Sequence, residues 1–312
     1  MKSAFLSVLL FTFAIGAVEA QQDRQMLVVI GAPGDDEFVD GFNQSAAQWA
    51  AAAAAGDMGI KRAANREALQ KEIEATIALE PAEWWIVLIG HGTYDGRVAK
   101  FNLKGPDVSA EEIKEWLAPF EKNLVFINTA SASAPFVPAI AGEKRVVISA
   151  TKSGFELNVS HFGGFLAAAL QTKAADLNKD EQVSILEAFL LAASETAEFF
   201  EKEGRLATEH ALIDDNGDGR GTRGDWFEGL RVVRKTSDDA EPDGLWARSL
   251  HLIPNDLDRA LGAEVRTRRN ELEREVELLR NKRAEMGDEA YYARLEEIFL
   301  EIARIYQNAS DS

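Results

Sequence analysis

Three places in this 312-residue chain hold residues whose types and spacing could do chemistry. His91 sits between Gly90 and Gly92 at the end of the apolar run 84–90 (WWIVLIG). An imidazole at a strand end can act as a general base, and a following glycine leaves a backbone N–H able to face a developing oxyanion. Thr129-Ala130-Ser131 follows a second apolar run, 124–128 (LVFIN), and offers hydroxyls where a nucleophile would stand beside that base. The third place is a pair of acidic loops. Asp176, Asn178, Asp180, Gln182, Ser184 and Glu187 take the ligand positions of an EF-hand loop, and Asp214, Asn216, Asp218, Thr222 and Asp225 repeat them with Arg220 offering a carbonyl. Oxygens so spaced converge on one Ca²⁺, with the last carboxylate bidentate. Glu181 stands where the turn favours glycine, whereas Gly219 fills that place in the second loop. The plainer alternative is that Asp/Asn/Gly clusters form turns and cap helices.

The elements that must position these groups follow from hydrophobic pattern. Runs 26–30, 84–90, 124–128 and 145–150 are short and continuously apolar, as strands buried on both faces of a parallel sheet are. Between them, 46–55 is alanine-rich, 65–79 has helical apolar spacing, and Ser109-Ala-Glu-Glu112 reads as a capping box. Helices are also expected over 163–170 and 184–200. Alternating strands and helices predict a three-layer α/β/α sandwich with a mainly parallel sheet, whose ligands bind at the carboxyl ends of the strands. From 256 onward Leu261, Val265, Leu272, Val276 and Leu279, then Leu295, Ile298, Ile302 and Ile305, keep a 3/4 rhythm broken at Gly287-Asp288. This predicts an antiparallel helical hairpin, packed on the core or on another subunit. Arg266, Arg268 and Arg269 read as a solvated helix face.

Composition narrows the chemistry. Fifty-two acids against 34 bases give a formal charge of −18, which disfavours nucleic acid and anionic membrane surfaces. With no cysteine, thiol catalysis, disulfides and thiolate metal sites are excluded. His161, His210 and His251 lack zinc-enzyme spacing, and Gly31-Ala-Pro-Gly34 lacks the Lys-Ser/Thr ending of a phosphate loop. The basic start, the apolar stretch 6–15 and Val18-Glu19-Ala20 read as a secretory signal cut before Gln21, with no integral membrane anchor. The chain then divides into a signal peptide (1–20), an α/β core (21–175), a helical extension with both acidic loops (176–255) and the hairpin (256–312). A periplasmic or extracellular protein, stabilised by calcium, is expected.

The stretch from Met26 to Leu170 resembles the caspase-like (clan CD) cysteine peptidases, nearest the legumain-type C13 family. His91-Gly92 closes one strand, 125–136 (VFINTASASAPF) matches the nucleophile segment in length and flanking apolar residues, and 145–154 matches the strand that follows. The resemblance covers roughly half the chain. It implies a caspase-like fold with His91 as general base, Gly92 as oxyanion N–H donor and Ala130 at the nucleophile position. Alanine carries no nucleophile, so the resemblance implies a non-catalytic relative that binds a peptide or protein in the old cleft. A one-residue offset would instead present Ser131 or Thr129, giving a hydrolase with His91 as base. A third reading is a scaffold acting, or oligomerising, through the C-terminal hairpin.

Overall fold

The computed structural model describes residues 23–234 and 241–310. The acidic, proline-containing stretch 236–244 reads as a linker; its residues 236–240 and the expected signal peptide lie outside the described residues. Four strands form where the continuous apolar runs predict them: β1 (Arg24–Ile30), β3 (Glu83–Ile89), β7 (Asn123–Asn128) and β8 (Arg145–Ser149). All pair in parallel, and β2 (Gly59–Ala63) extends the sheet beside β1. The seven-stranded order is β10-β9-β8-β7-β3-β1-β2, closed by the short antiparallel strands β9 (Leu212–Asp214) and β10 (Thr222–Arg223). Residues 176–255, expected as a helical extension, thus also supply the last two strands of the same sheet.

Alternate side chains of each central strand enter different cores. Met26, Val28, Trp85, Val87, Val125 and Ile148 pack with Trp49 of α1 (Val39–Ala55), Phe162 of α5 (Phe162–Ala169) and Phe189 of α6 (Ile185–Lys202). Leu27, Val29, Trp84, Ile86, Phe126 and Val147 pack with Leu69 and Ile73 of α2 (Arg66–Leu79), Ile113 of α3 (Ala110–Leu117) and Phe136 of α4 (Phe136–Ile140). This is the expected α/β/α sandwich. Each fully buried side chain of this size contributes about 1.5–3 kcal/mol. The helix starts are capped locally: Asn65 Oδ1 accepts from Ala68 N at 2.9 Å, and Ser109–Glu112 and Ser184–Glu187 form reciprocal capping boxes.

At the C-terminus α7 (Asp256–Ala260) leads into α8 (Ala263–Met286) and α9 (Asp288–Ser310), which turn at Gly287 as the pattern predicts. Leu272, Val276, Leu279, Tyr291 and Ile298 form their shared core. Two expectations need correction. Val265 is 42% exposed, outside that core. Arg269 is buried and paired with Asp258 at 2.6 and 2.8 Å, while Asn270 Nδ2 donates to Ser249 O at 3.0 Å. Polar docking therefore claims the start of α8, and this overrides the apolar rhythm there. Among the described residues no helix is long and apolar enough to cross a membrane.

Candidate functional site

Strand order brings the predicted residues to one end of the sheet. β3 and β7 are neighbours, so His91-Gly92 after the one and Thr129–Ser133 after the other meet at their carboxyl ends. Beyond Gly92 the chain forms a small antiparallel sheet of β4 (Gly92–Tyr94), β5 (Ala99–Phe101) and β6 (Val108–Ser109). Asp95 serves its turn, accepting from Arg97 N and Val98 N at 2.8 Å each. Gly92 is required by proximity, because a Cβ there would lie 2.2 Å from Ser131 O.

The groups that meet here are bonded to other partners. The Ser131 hydroxyl donates to Gly92 O at 3.2 Å, and Gly92 N donates to Ser131 Oγ at 3.1 Å. The would-be nucleophile and the would-be oxyanion donor close on each other. His91 turns away: its Nε2 lies 3.0 Å from Pro33 O, and its ring packs edge-on between Phe38 and Phe42 at 4.8 and 5.1 Å. A carbonyl only accepts, so this partner assigns the proton to Nε2. Thr129 Oγ1 is committed as well, donating to Leu88 O at 2.8 Å. Ala130 is fully buried, its N–H held by Asn128 Oδ1 at 3.1 Å. Ser133 Oγ accepts from Ala150 N and Thr151 N, which fastens this loop to the end of β8.

A strap after β8 covers the region. Ala132, in the left-handed region at φ 53°, donates its N–H to Glu156 O at 2.8 Å, and Gly154 packs against the Tyr94 ring. The Glu156 carboxylate accepts from Lys152 N at 2.8 Å and bonds His210 Nδ1 at 2.6 Å. His210, which lacks zinc-enzyme spacing in the sequence, is therefore a latch partner. Glu156→Ala is expected to cost about 1–3 kcal/mol. It should also speed hydrogen exchange at the Ala132 amide, and unchanged exchange there would dismiss the latch. Beside the strap lies a cleft of about 340 Å³ lined by Phe38, Phe42, Gln44, Gln48, Thr129 and His161. Phe155 and Leu206 stand 70% and 90% exposed, the Phe155 ring edge-on to Tyr94 at 5.2 Å. Pattern reading missed Phe38, Phe42 and Glu156, since nothing in their local spacing marks them.

Both acidic loops fold as runs of Asx turns. Asp176 Oδ1 accepts from Lys179 N, Asn178 Oδ1 from Asp180 N and Asp180 Oδ1 from Gln182 N. Asp214, Asn216 and Asp218 repeat this with Gly217, Asp218 and Arg220 N. The last positions depart from the expected ligand role. Glu187 spends Oε1 on Leu177 N and Asn178 N, and Oε2 on Ser184 N and Oγ. Asp225 is turned outward, bonded through both oxygens to Arg223 at 2.8 and 2.9 Å. In its place Asp243, buried although it falls in the stretch read as a linker, accepts from Asp215 N, Asn216 N and Thr222 Oγ1. Among the described residues no three His, Asp or Glu side chains are gathered as a metal cage by themselves.

Burial dominates the electrostatics of this second loop. It pushes the Asp214 carboxyl up to about 6, with Asp218 and Asp215 adding repulsion. It pushes Asp243 up to about 8, with Asp215 and Asp214 adding to it.

No family model matches the chain, and no curated protein matches it either. Solved structures do. The Drosophila initiator caspase Dronc is similar at 13% identity and a TM-score of 0.46, over 65% of this chain and 83% of that one. Caspase-1 from Spodoptera frugiperda is similar at 12% and 0.45, over 62% and 87%. A protein from Geobacter sulfurreducens is similar at 12% and 0.45, over 64% and 97%. These likenesses are loose, and they concern the arrangement of the chain, not its chemistry.

Proposed function

We propose that this chain is an exported protein on a caspase-like, legumain-related frame that binds a peptide or protein segment at the carboxyl end of its sheet without cleaving it. The supporting observation is the mutual closure of Ser131 and Gly92, with His91 held by Pro33 O and both phenylalanines. A hydroxyl nucleophile needs an aligned base and a free oxyanion donor, and here the groups that would fill these roles are committed elsewhere. Alanine at position 130 fits the same reading. Binding is supported by the cleft beside Thr129 and by the exposed Phe155 and Leu206 at that end, since large apolar side chains left in water favour a partner.

Incubation with a diverse peptide library, read by mass spectrometry, is expected to leave every peptide intact while immobilised protein retains a subset. Phe155→Ala should reduce that retention. Cleavage present in the wild type and lost in His91→Ala would replace this reading by a hydrolase acting through Ser131 or Thr129. The half-exposed Tyr292, Phe299 and Leu300 on α9 favour a second reading, in which the hairpin is an assembly surface.

A further inference from the structure

The two acidic loops share a spacing but use their oxygens differently. Before α6, the carboxylate oxygens that the spacing would offer already accept N–H groups. Asp176 takes Lys179 N and Glu181 N, Asp180 takes Gln182 N and Asn178 Nδ2, and Glu187 is committed as described. The Lys179 ammonium bonds the Asp176 carbonyl, so positive charge already stands in the loop. Gln182 Oε1 is drawn off to Asn255 N at 3.0 Å.

The loop between β9 and β10 makes the same turns through Asn216 Oδ1 and Asp218 Oδ1, and differs at its first position. Asp214 is fully buried; Oδ1 accepts from Gly217 N at 2.9 Å, and although the Gly219 amide also acts on this carboxyl, Oδ2 makes no hydrogen bond of normal geometry. A buried carboxylate oxygen without a donor is costly, and its charged neighbours, Asp218 and Asp215, add negative charge. Arg274 acts on Asp215 from α8, yet is already paired with Glu241 at 2.7 Å. The orphan oxygen belongs to the first ligand position of the spacing, which assigns the Asn216 amide, the Asp218 carboxylate and the Arg220 carbonyl to the following ones, and the Asp218 charge acts on Asp214.

We propose that this β-hairpin loop binds one calcium ion, anchored by Asp214 Oδ2, and that the loop before α6 binds none. The proposal is independent of the peptide-binding reading. Oxygen-only donors select a hard cation, and calcium accepts a mixed carboxylate, amide and carbonyl set that the stricter octahedron of magnesium does not. The ion would also fasten the sheet edge to the chain that follows it. Asp215 holds the N–H groups of Gly244, Trp246 and Ala247 at 2.7 Å each, next to the neutralised Asp214.

The test is calorimetric titration of the whole chelator-stripped protein with calcium chloride. One site per chain is expected, with a rise in Tm on saturation. Asp214→Asn should abolish the site, and Asp218→Asn, at an exposed position, should weaken it roughly tenfold or more with an unchanged circular dichroism spectrum. Asp176→Asn should leave one site intact. No site, two sites, or a site lost in Asp176→Asn and kept in Asp214→Asn would overturn the assignment.

Discussion

Arg24→Ala is expected to destabilise the fold by about 3–5 kcal/mol, read as a shift of the urea midpoint. Arg24 opens β1 and is buried, with Nη2 at 2.7 Å from Glu83 Oε1 at the start of β3. The Trp85 indole N–H donates to the same oxygen at 2.7 Å. Burial alone would push the Glu83 carboxyl up, yet the Arg24 guanidinium holds it below the usual carboxylate range. Removing Arg24 leaves a buried charge unpaired, which costs more than the pair itself contributes. The guanidinium also binds Gly56 O at 2.8 Å and His251 O at 2.6 Å, so its loss frees the chain entering the hairpin. Adding Glu83→Gln removes the stranded charge and should recover part of the loss. A single variant within about 1 kcal/mol of wild type would show that the pair is not what holds this corner.

The second large effect concerns pH. In chelator, stability should fall by up to about 1.4 kcal/mol per pH unit between roughly pH 6.5 and 8. Asp243 is raised from 3.8 to about 8 and Asp214 to about 6, chiefly by burial, so the folded state holds these protons more tightly than the unfolded chain. Their stabilisation is therefore full below the unfolded value and is lost as pH rises through the folded values. Burial pushes His251 down from 6.5, which contributes a loss of stability on acidification below that value. The pairing of Asp258 with Arg269 outweighs burial and lowers the Asp258 carboxyl, giving a similar loss at still lower pH. The window above 6.5 accordingly belongs to Asp243 together with its neighbour Asp215, whose carboxyl burial also pushes up. Chemical denaturation at successive pH values tests this, with Asp243→Asn expected to flatten the slope. A wild-type slope that is flat or rising there would contradict the raised value.

Much of the sheet is legible because its central strands are buried on both faces and therefore apolar throughout. β2 is not, since Ile60, Lys61 and Arg62 between its buried ends are exposed at the sheet's edge. β9 and β10 are too short for a period to register, and they form because β8 offers a free edge. The helix starts at Ser109 and Ser184 are legible because capping uses neighbours three residues apart.

The candidate site divides in the same way. Local sequence places His91-Gly92 and Thr129-Ala130-Ser131 at strand ends, excludes a thiol and writes the same ligand spacing into both acidic loops. Tertiary structure decides what each group does, because its partner comes from far along the chain. Pro33 O takes the His91 nitrogen, the Gly92 backbone takes the Ser131 hydroxyl, and Asp243 closes the loop that Asp225 leaves. A hydrogen-bonding group is satisfied by whichever donor or acceptor the fold brings within about 3 Å. Spacing along the sequence fixes only the neighbours within a turn or two.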